Sequence, residues 1–161
     1  VTTTVADIRA TIVDTIKALV PTGITTPRFT PWQEDTLRTS FRLWSEKNPL
    51  AAFRRFSVRV LPGVEPAGVH DYNRRREVAR LECVVAYPAD HRYGALGAVS
   101  LDTILAADMA LIVDAVGTKG YATISPAAAA VVTDEGHTVE DLEACRFGVA
   151  TFTCEYYRST T

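Results

Sequence analysis

From Glu77 to Tyr87 the chain alternates with a period of two. Ala79, Leu81, Cys83, Val85 and Tyr87 fall on one side, and Val78, Arg80, Glu82 and Val84 on the other. Successive side chains of a strand point to opposite faces, so this pattern predicts a β-strand. Pro88 closes it. The same period runs through Phe56-Ser57-Val58-Arg59-Val60, and Leu61-Pro62-Gly63 ends that run. The two runs predict an antiparallel hairpin, Phe56–Leu61 with Glu77–Tyr87. Their connection, from Pro62 to about Arg76, is longer than a tight hairpin needs and reads as a long exposed tip.

Two other segments carry helical spacing. Val5, Ile8, Ile12, Ile16 and Leu19 form one apolar stripe. Thr3 or Thr4 can cap this helix, Asp7 suits its positive end, and Pro21 stops it. A second helix starts at Ser100 and places Leu101, Ile104, Leu105, Asp108, Leu111, Ile112 and Ala115 at helical steps, with Gly117 at its end. Between the first helix and the first strand, Pro27, Pro31 and Pro49 punctuate the segment Ile24–Leu50. Thr30-Pro31 followed by Glu34 and Asp35 predicts a further helix start, with Leu37, Phe41 and Trp44 on one face. The alternative there is an irregular arm with aromatic anchors.

Toward the C-terminus, Ala128–Thr133 reads as a short strand and Asp134-Glu135-Gly136-His137 as a turn. The last strand runs from about Cys145 to Tyr157. Its apolar residues switch parity: Cys145, Phe147 and Val149, then Phe152, Cys154 and Tyr156. Either a bulge near Ala150–Thr151 restores one buried face, or the strand is buried on both faces, one of them by a neighbouring subunit. The element order predicts an α+β fold: a mainly antiparallel sheet of about four strands, with two helices packed on one face. A length of 161 residues fits one domain, residues 1–161.

Composition narrows the function. The net charge of −2 gives no case for a nucleic-acid binder. No run approaches the roughly 18 apolar residues of a membrane span, so no membrane partner is expected. Val1-Thr2-Thr3-Thr4 lacks the basic and apolar regions of a secretory signal. The 3 cysteines, Cys83, Cys145 and Cys154, show no pairing pattern and read as reduced thiols, which points to a cytosolic origin. His70, His91 and His137 each have an acidic neighbour, yet none is spaced from a second ligand as a metal site requires. No Gly-x-Ser-x-Gly occurs, and Gly94-Ala95-Leu96-Gly97 matches no phosphate loop. We therefore expect no catalytic residues, no cofactor and no metal, and so no enzyme.

The arginines are more informative. Arg54, Arg55 and Arg59 lie at or beside one strand; Arg74, Arg75, Arg76 and Arg80 lie at the start of its partner. Pairing those strands gathers the charges near one end of the hairpin. Three readings are open. The charges can be a solvated face that protects an edge, or an Arg-rich interface meeting Glu140, Asp141 and Glu143 of a neighbour, or a contact with a passing nucleic-acid backbone. With Phe152 and Tyr156 of the last strand, these arginines are the candidate interface.

The layout resembles the tail terminator (tail completion) proteins of long-tailed bacteriophages. The similar parts are the helix Val5–Val20, "FRRFSVRV" at Phe53–Val60, "REVARLECVVAYP" at Arg76–Pro88, the helix Ser100–Val116 and "CRFGVATFTCEYYR" at Cys145–Arg158. The arm Ile24–Leu50 is long for that family. The resemblance implies a structural virion protein, assembled in the host bacterial cytoplasm, that forms a ring on the tail tube. It implies a homo-oligomer, usually a hexamer, that stops tube growth and joins the tube to the head's connector. Its partners would be the tail tube protein, the head–tail connector protein and DNA passing through the bore. The alternatives are another neck or tail part, or a small-ligand-binding α+β domain with a pocket under the helix Ser100–Val116.

Overall fold

The computed structural model describes residues 4–22, 24, 27–32, 49–62, 65–71, 74–88, 101–118, 131–142 and 145–159. The helix expected around Leu37, Phe41 and Trp44 lies outside these residues, as do His91 and the Gly94–Gly97 segment.

Helix α1 spans Val5–Ala18 and buries Ile8, Ile12 and Ile16, the stripe expected from their spacing. Thr4 begins it with a capping box. The Asp7 amide donates to Thr4 Oγ1 at 3.2 Å, and the Thr4 amide donates to Asp7 Oδ2 at 2.7 Å. At the far end, Arg28 Nε donates to the Leu19 carbonyl at 3.2 Å and so satisfies one of the helix's orphan acceptors.

Two further helices follow, α2 (Pro49–Ala52) and α3 (Leu101–Thr118). The strands are β1 (Thr30–Pro31), β2 (Arg55–Val60), β3 (Glu65–Asp71), β4 (Arg74–Pro88), β5 (Val131–Leu142) and β6 (Cys145–Ser159). They form one 6-stranded sheet in the order β1-β2-β4-β6-β5, with β3 also paired to β4. Only the short β1–β2 pairing is parallel among the described strands. The fold is α+β, with the sheet packed against α1 and α3 as the sequence predicts.

The expected hairpin is present: Phe56 opposes Val85, Val58 opposes Cys83 and Val60 opposes Leu81. Three local expectations need correction. The connection Pro62–Arg76 is not one long loop, because Glu65–Asp71 forms β3 against Arg74–Val78. Pro66 and Gly68 hide this strand from propensity reasoning. β3 pairs on one side only among the described residues, and an edge tolerates proline; its register slips between Pro66 and Val69. The Asp134–His137 turn is instead a bulge inside β5: Glu135 and Gly136 stand against Thr151 alone, between the rungs Asp134–Phe152 and His137–Ala150. That bulge lies in the partner of β6, since β6 itself keeps unbroken register with β4 from Cys145 to Ser159.

From Phe147 to Ala150, β6 is buried on both faces, and within this chain. On the helical face, Ala150, Phe152, Cys154 and Tyr156 join Leu81, Cys83, Val85, Ile104, Met109 and Ile112 in the main core. On the other face, Phe147 and Val149 pack with Val84, Ala86 and Ala52 of α2, with Trp32 beside them. The arm and α2 thus cover part of the face that the sequence left to a neighbouring subunit.

Helix α3 lies so close over β6 that a methyl group on Gly148 would run into Met109 Sδ and sit 2.9 Å from its Cγ. Gly148→Ala should cost about 1–3 kcal/mol through forced repacking. The cost should shrink in a Met109→Ala background, and a thermal double-mutant cycle reads the coupling.

Candidate functional site

The first predicted interface residue is not at the surface. Arg54 is fully buried and stands at φ 59°, in the left-handed region that a side chain seldom occupies. This turn directs the guanidinium under the sheet to Asp108 of α3. Arg54 Nε donates to Asp108 Oδ2 at 2.6 Å and Nη2 donates to Oδ1 at 3.2 Å, a two-pronged pair. Nη1 donates to the carbonyls of Ile24 at 2.6 Å and Pro27 at 3.1 Å. The ring faces of Phe53 and Phe29 lie 5.4 and 5.8 Å from the guanidinium carbon, within cation–π range.

Tyr87 completes the group by donating its hydroxyl to Asp108 Oδ2 at 3.0 Å. Burial pushes the Asp108 carboxyl above its ordinary range, while the Arg54 guanidinium and the Tyr87 hydroxyl pull it back down. Burial and the neighbouring Asp108 hold the Tyr87 hydroxyl well above its usual range, so it stays a donor. The Arg54 guanidinium and both Asp108 oxygens are engaged, and the network ties the arm at Ile24 and Pro27 to β4 and α3. Asp108 carried the sequence signal for it: an acid within an apolar helical stripe needs a buried cation.

The other candidates divide. Arg55 turns back on its own surroundings, donating to the carbonyls of Ala51 at 2.9 Å and Pro31 at 3.3 Å. Arg59 pairs across the ladder with Glu82 at 2.9 Å; Arg59 is 37% exposed, so the pair adds little to stability. Arg80 is exposed on β4, opposite Thr153. Phe152 is fully buried in the main core, and Tyr156 is buried with its hydroxyl donating to Glu77 Oε2 at 2.7 Å. Phe152 and Tyr156, like Arg54, are thus core residues and not contact surface; sequence parity alone did not separate those two roles.

Arg74, Arg75 and Arg76 occupy the first rungs of β4, opposite Ser159, Arg158 and Tyr157 of β6. The other end of the same sheet carries acids. Glu140 and Asp141 of β5 stand opposite Phe147 and Arg146, and Arg146 pairs with Asp102 in the first turn of α3. Glu143, the third acid expected there, lies outside the described residues.

No group of His, Cys, Asp and Glu suited to holding a metal ion occurs among the described residues. Among them, too, no helix is long and apolar enough to cross a membrane. Cys83 and Cys154 are free and buried in the core, and burial pushes each thiol up to about 12. A thiol held so far from its thiolate is inert. Neither should react with an aromatic disulfide reagent at pH 8 in the folded chain, and both should titrate in denaturant. Rapid labelling of either in native buffer would contradict their placement.

No protein-family model matches the sequence, and no curated protein matches it.

Proposed function

We propose that this chain is a tail terminator of a long-tailed bacteriophage. It would assemble as a ring, most simply a hexamer, on the end of the tail tube, stop the tube's growth and present a face to the head's connector. DNA would pass through the bore, and the protein would act without catalysis.

The observation that supports this reading most is β5. It is a 12-residue strand at the end of the sheet order, paired only with β6 among the described strands. A long outer strand offers a row of backbone donors and acceptors; the Glu135–Gly136 bulge blunts it locally and leaves the stretches on either side to be managed. A neighbouring subunit in a closed ring manages it by pairing or covering. The element order of the resemblance is also kept: α1, the β2–β4 hairpin, α3 and the closing β6. β3 occupies part of the connection that the sequence reads as a long exposed tip, so removing Pro62–Arg76 would take away a strand as well as a tip.

The ligand-binding alternative needs polar groups with free valences under α3. The polar cluster in that place, Arg54–Asp108–Tyr87, has its charged atoms committed to one another. That favours a structural role.

The test is tube capping. Tube protein of the same virus is polymerised with and without this chain, and lengths are read by electron microscopy. Capping predicts arrested growth and a ring of density at one tube end. Unchanged lengths and bare ends would overturn the proposal.

A further inference from the structure

We infer that residues 24 and 27–32 form a strap that seals the β2 edge against strand addition by a second copy of this chain, with Arg54 as its lock. The inference stands apart from the terminator reading.

Three successive outward carbonyls at the β2 edge each receive a donor from another element. The Thr30 amide donates to the Arg54 carbonyl at 3.2 Å, and the Trp32 amide to the Phe56 carbonyl at 2.7 Å. Arg9 of α1 then donates its Nε to the Val58 carbonyl at 2.6 Å. An edge covered in this way cannot serve as a template for another chain. The excluded partner is a second copy, since in any preparation of this protein the strands on offer are those of other copies. Phe56, Val58 and Val60 make β2 a good β-former, and Val60 at its end is 39% exposed.

The strap does not hold itself. Its paired part, β1, is two residues long, and ordering so short a strand costs more than its backbone hydrogen bonds return. Anchors on both faces of the sheet supply the rest. On the helical face, Phe29 is buried in the main core and Ile24 packs against it. On the opposite face, Trp32 packs against the cluster of Val84, Ala86, Phe147 and Val149. The strap therefore passes from one face to the other around the edge it covers.

Arg54 grips the strap at three points. Its Nη1 donates to the Ile24 and Pro27 carbonyls, and its own carbonyl accepts from Thr30. Asp108 holds the same guanidinium from behind. The φ of 59° lets one residue send its side chain inward while its carbonyl stays on the edge. Backbone strain of this kind persists where the surrounding contacts make use of it.

The experiment uses the full-length wild type and two variants. Arg54→Met with Asp108→Leu removes the lock together with its buried counter-charge. Arg54→Lys keeps a positive charge near Asp108 and loses the fork that also reaches two carbonyls. Thermal unfolding shows which variants are folded, and native-state hydrogen exchange reads the strap. In the wild type, the Thr30 and Trp32 amides should open together at lower denaturant than the amides of Leu81–Val85 in β4, as a separate unit does. In a folded variant both should exchange at least about tenfold faster, the loss of one hydrogen bond from a charged donor. Leu81–Val85 should follow global stability alone. Sedimentation then reads the edge. A folded variant should form larger species than the wild type does at equal concentration, and adding Val60→Lys, a charge at the end of β2, should abolish the excess.

Thr30 and Trp32 amides that open only with the whole fold in the wild type, or that keep their rates in a folded variant, would overturn the strap. A strap that opens without added association, or association that survives Val60→Lys, would overturn its guarding of the edge.

Discussion

Asp108→Ala should lower the free energy of unfolding by about 3–5 kcal/mol, because it leaves the Arg54 guanidinium buried without its counter-charge. For a domain of this size that is a fall in melting temperature of roughly 6–20 °C. The midpoint of urea unfolding should drop with little change in slope. The cause is geometric: Arg54 is fully buried, and both its Nε and Nη2 donate to Asp108. Replacing both partners with apolar residues of similar volume, Arg54→Met with Asp108→Leu, should recover much of the loss, since the expense of burying charge disappears with the charges.

The backbone at Arg54 adds a finer expectation. Its φ of 59° strains any residue with a Cβ. Arg54→Gly should therefore be more stable than Arg54→Ala by about 1 kcal/mol, though both lose the ion pair. Equal stabilities would show that the left-handed turn relaxes once the guanidinium is gone. An Asp108→Ala variant as stable as wild type would mean that the buried network does not form.

Phe152→Ala carries the second large effect, about 3–5 kcal/mol from lost burial and the cavity left behind. Phe152 is fully buried among the residues of the main core, against Leu81 of β4 in register. Were it an interface anchor, the variant would keep its monomer stability and lose only assembly. Core placement predicts the reverse order: thermal stability falls first, and assembly fails only as the fold fails. An unchanged melting temperature with abolished assembly would return Phe152 to the surface.

The elements legible in the sequence are those whose burial is periodic. Ile8, Ile12 and Ile16 mark α1, and the alternation from Ala79 to Tyr87 marks β4, because each presents one apolar face to one core. β3 escaped because Pro66 and Gly68 break a strand pattern, while an outer position tolerates both. The parity switch in β6 was visible, but its cause was not. Phe147 and Val149 are covered by Ala52 and lie beside Trp32, roughly a hundred residues away in the chain, and local periodicity carries no such information.

The candidate site was legible in part. Arg54 sits beside Arg55 in a run that reads as a solvated face, yet its partner Asp108 is 54 positions away. What sends one arginine inward is a single backbone angle, and neighbouring residue types do not announce it. The clustering of Arg74, Arg75 and Arg76 was plain. Their rung opposite Arg158, and the position of Glu140 and Asp141 at the far end of the sheet, needed the register of β4, β6 and β5.

Native mass measured across a wide concentration range tests the proposed ring most directly. A terminator should give one discrete closed oligomer, six copies by the simplest expectation, with no larger species as concentration rises. Open-ended polymers that lengthen with concentration would contradict it.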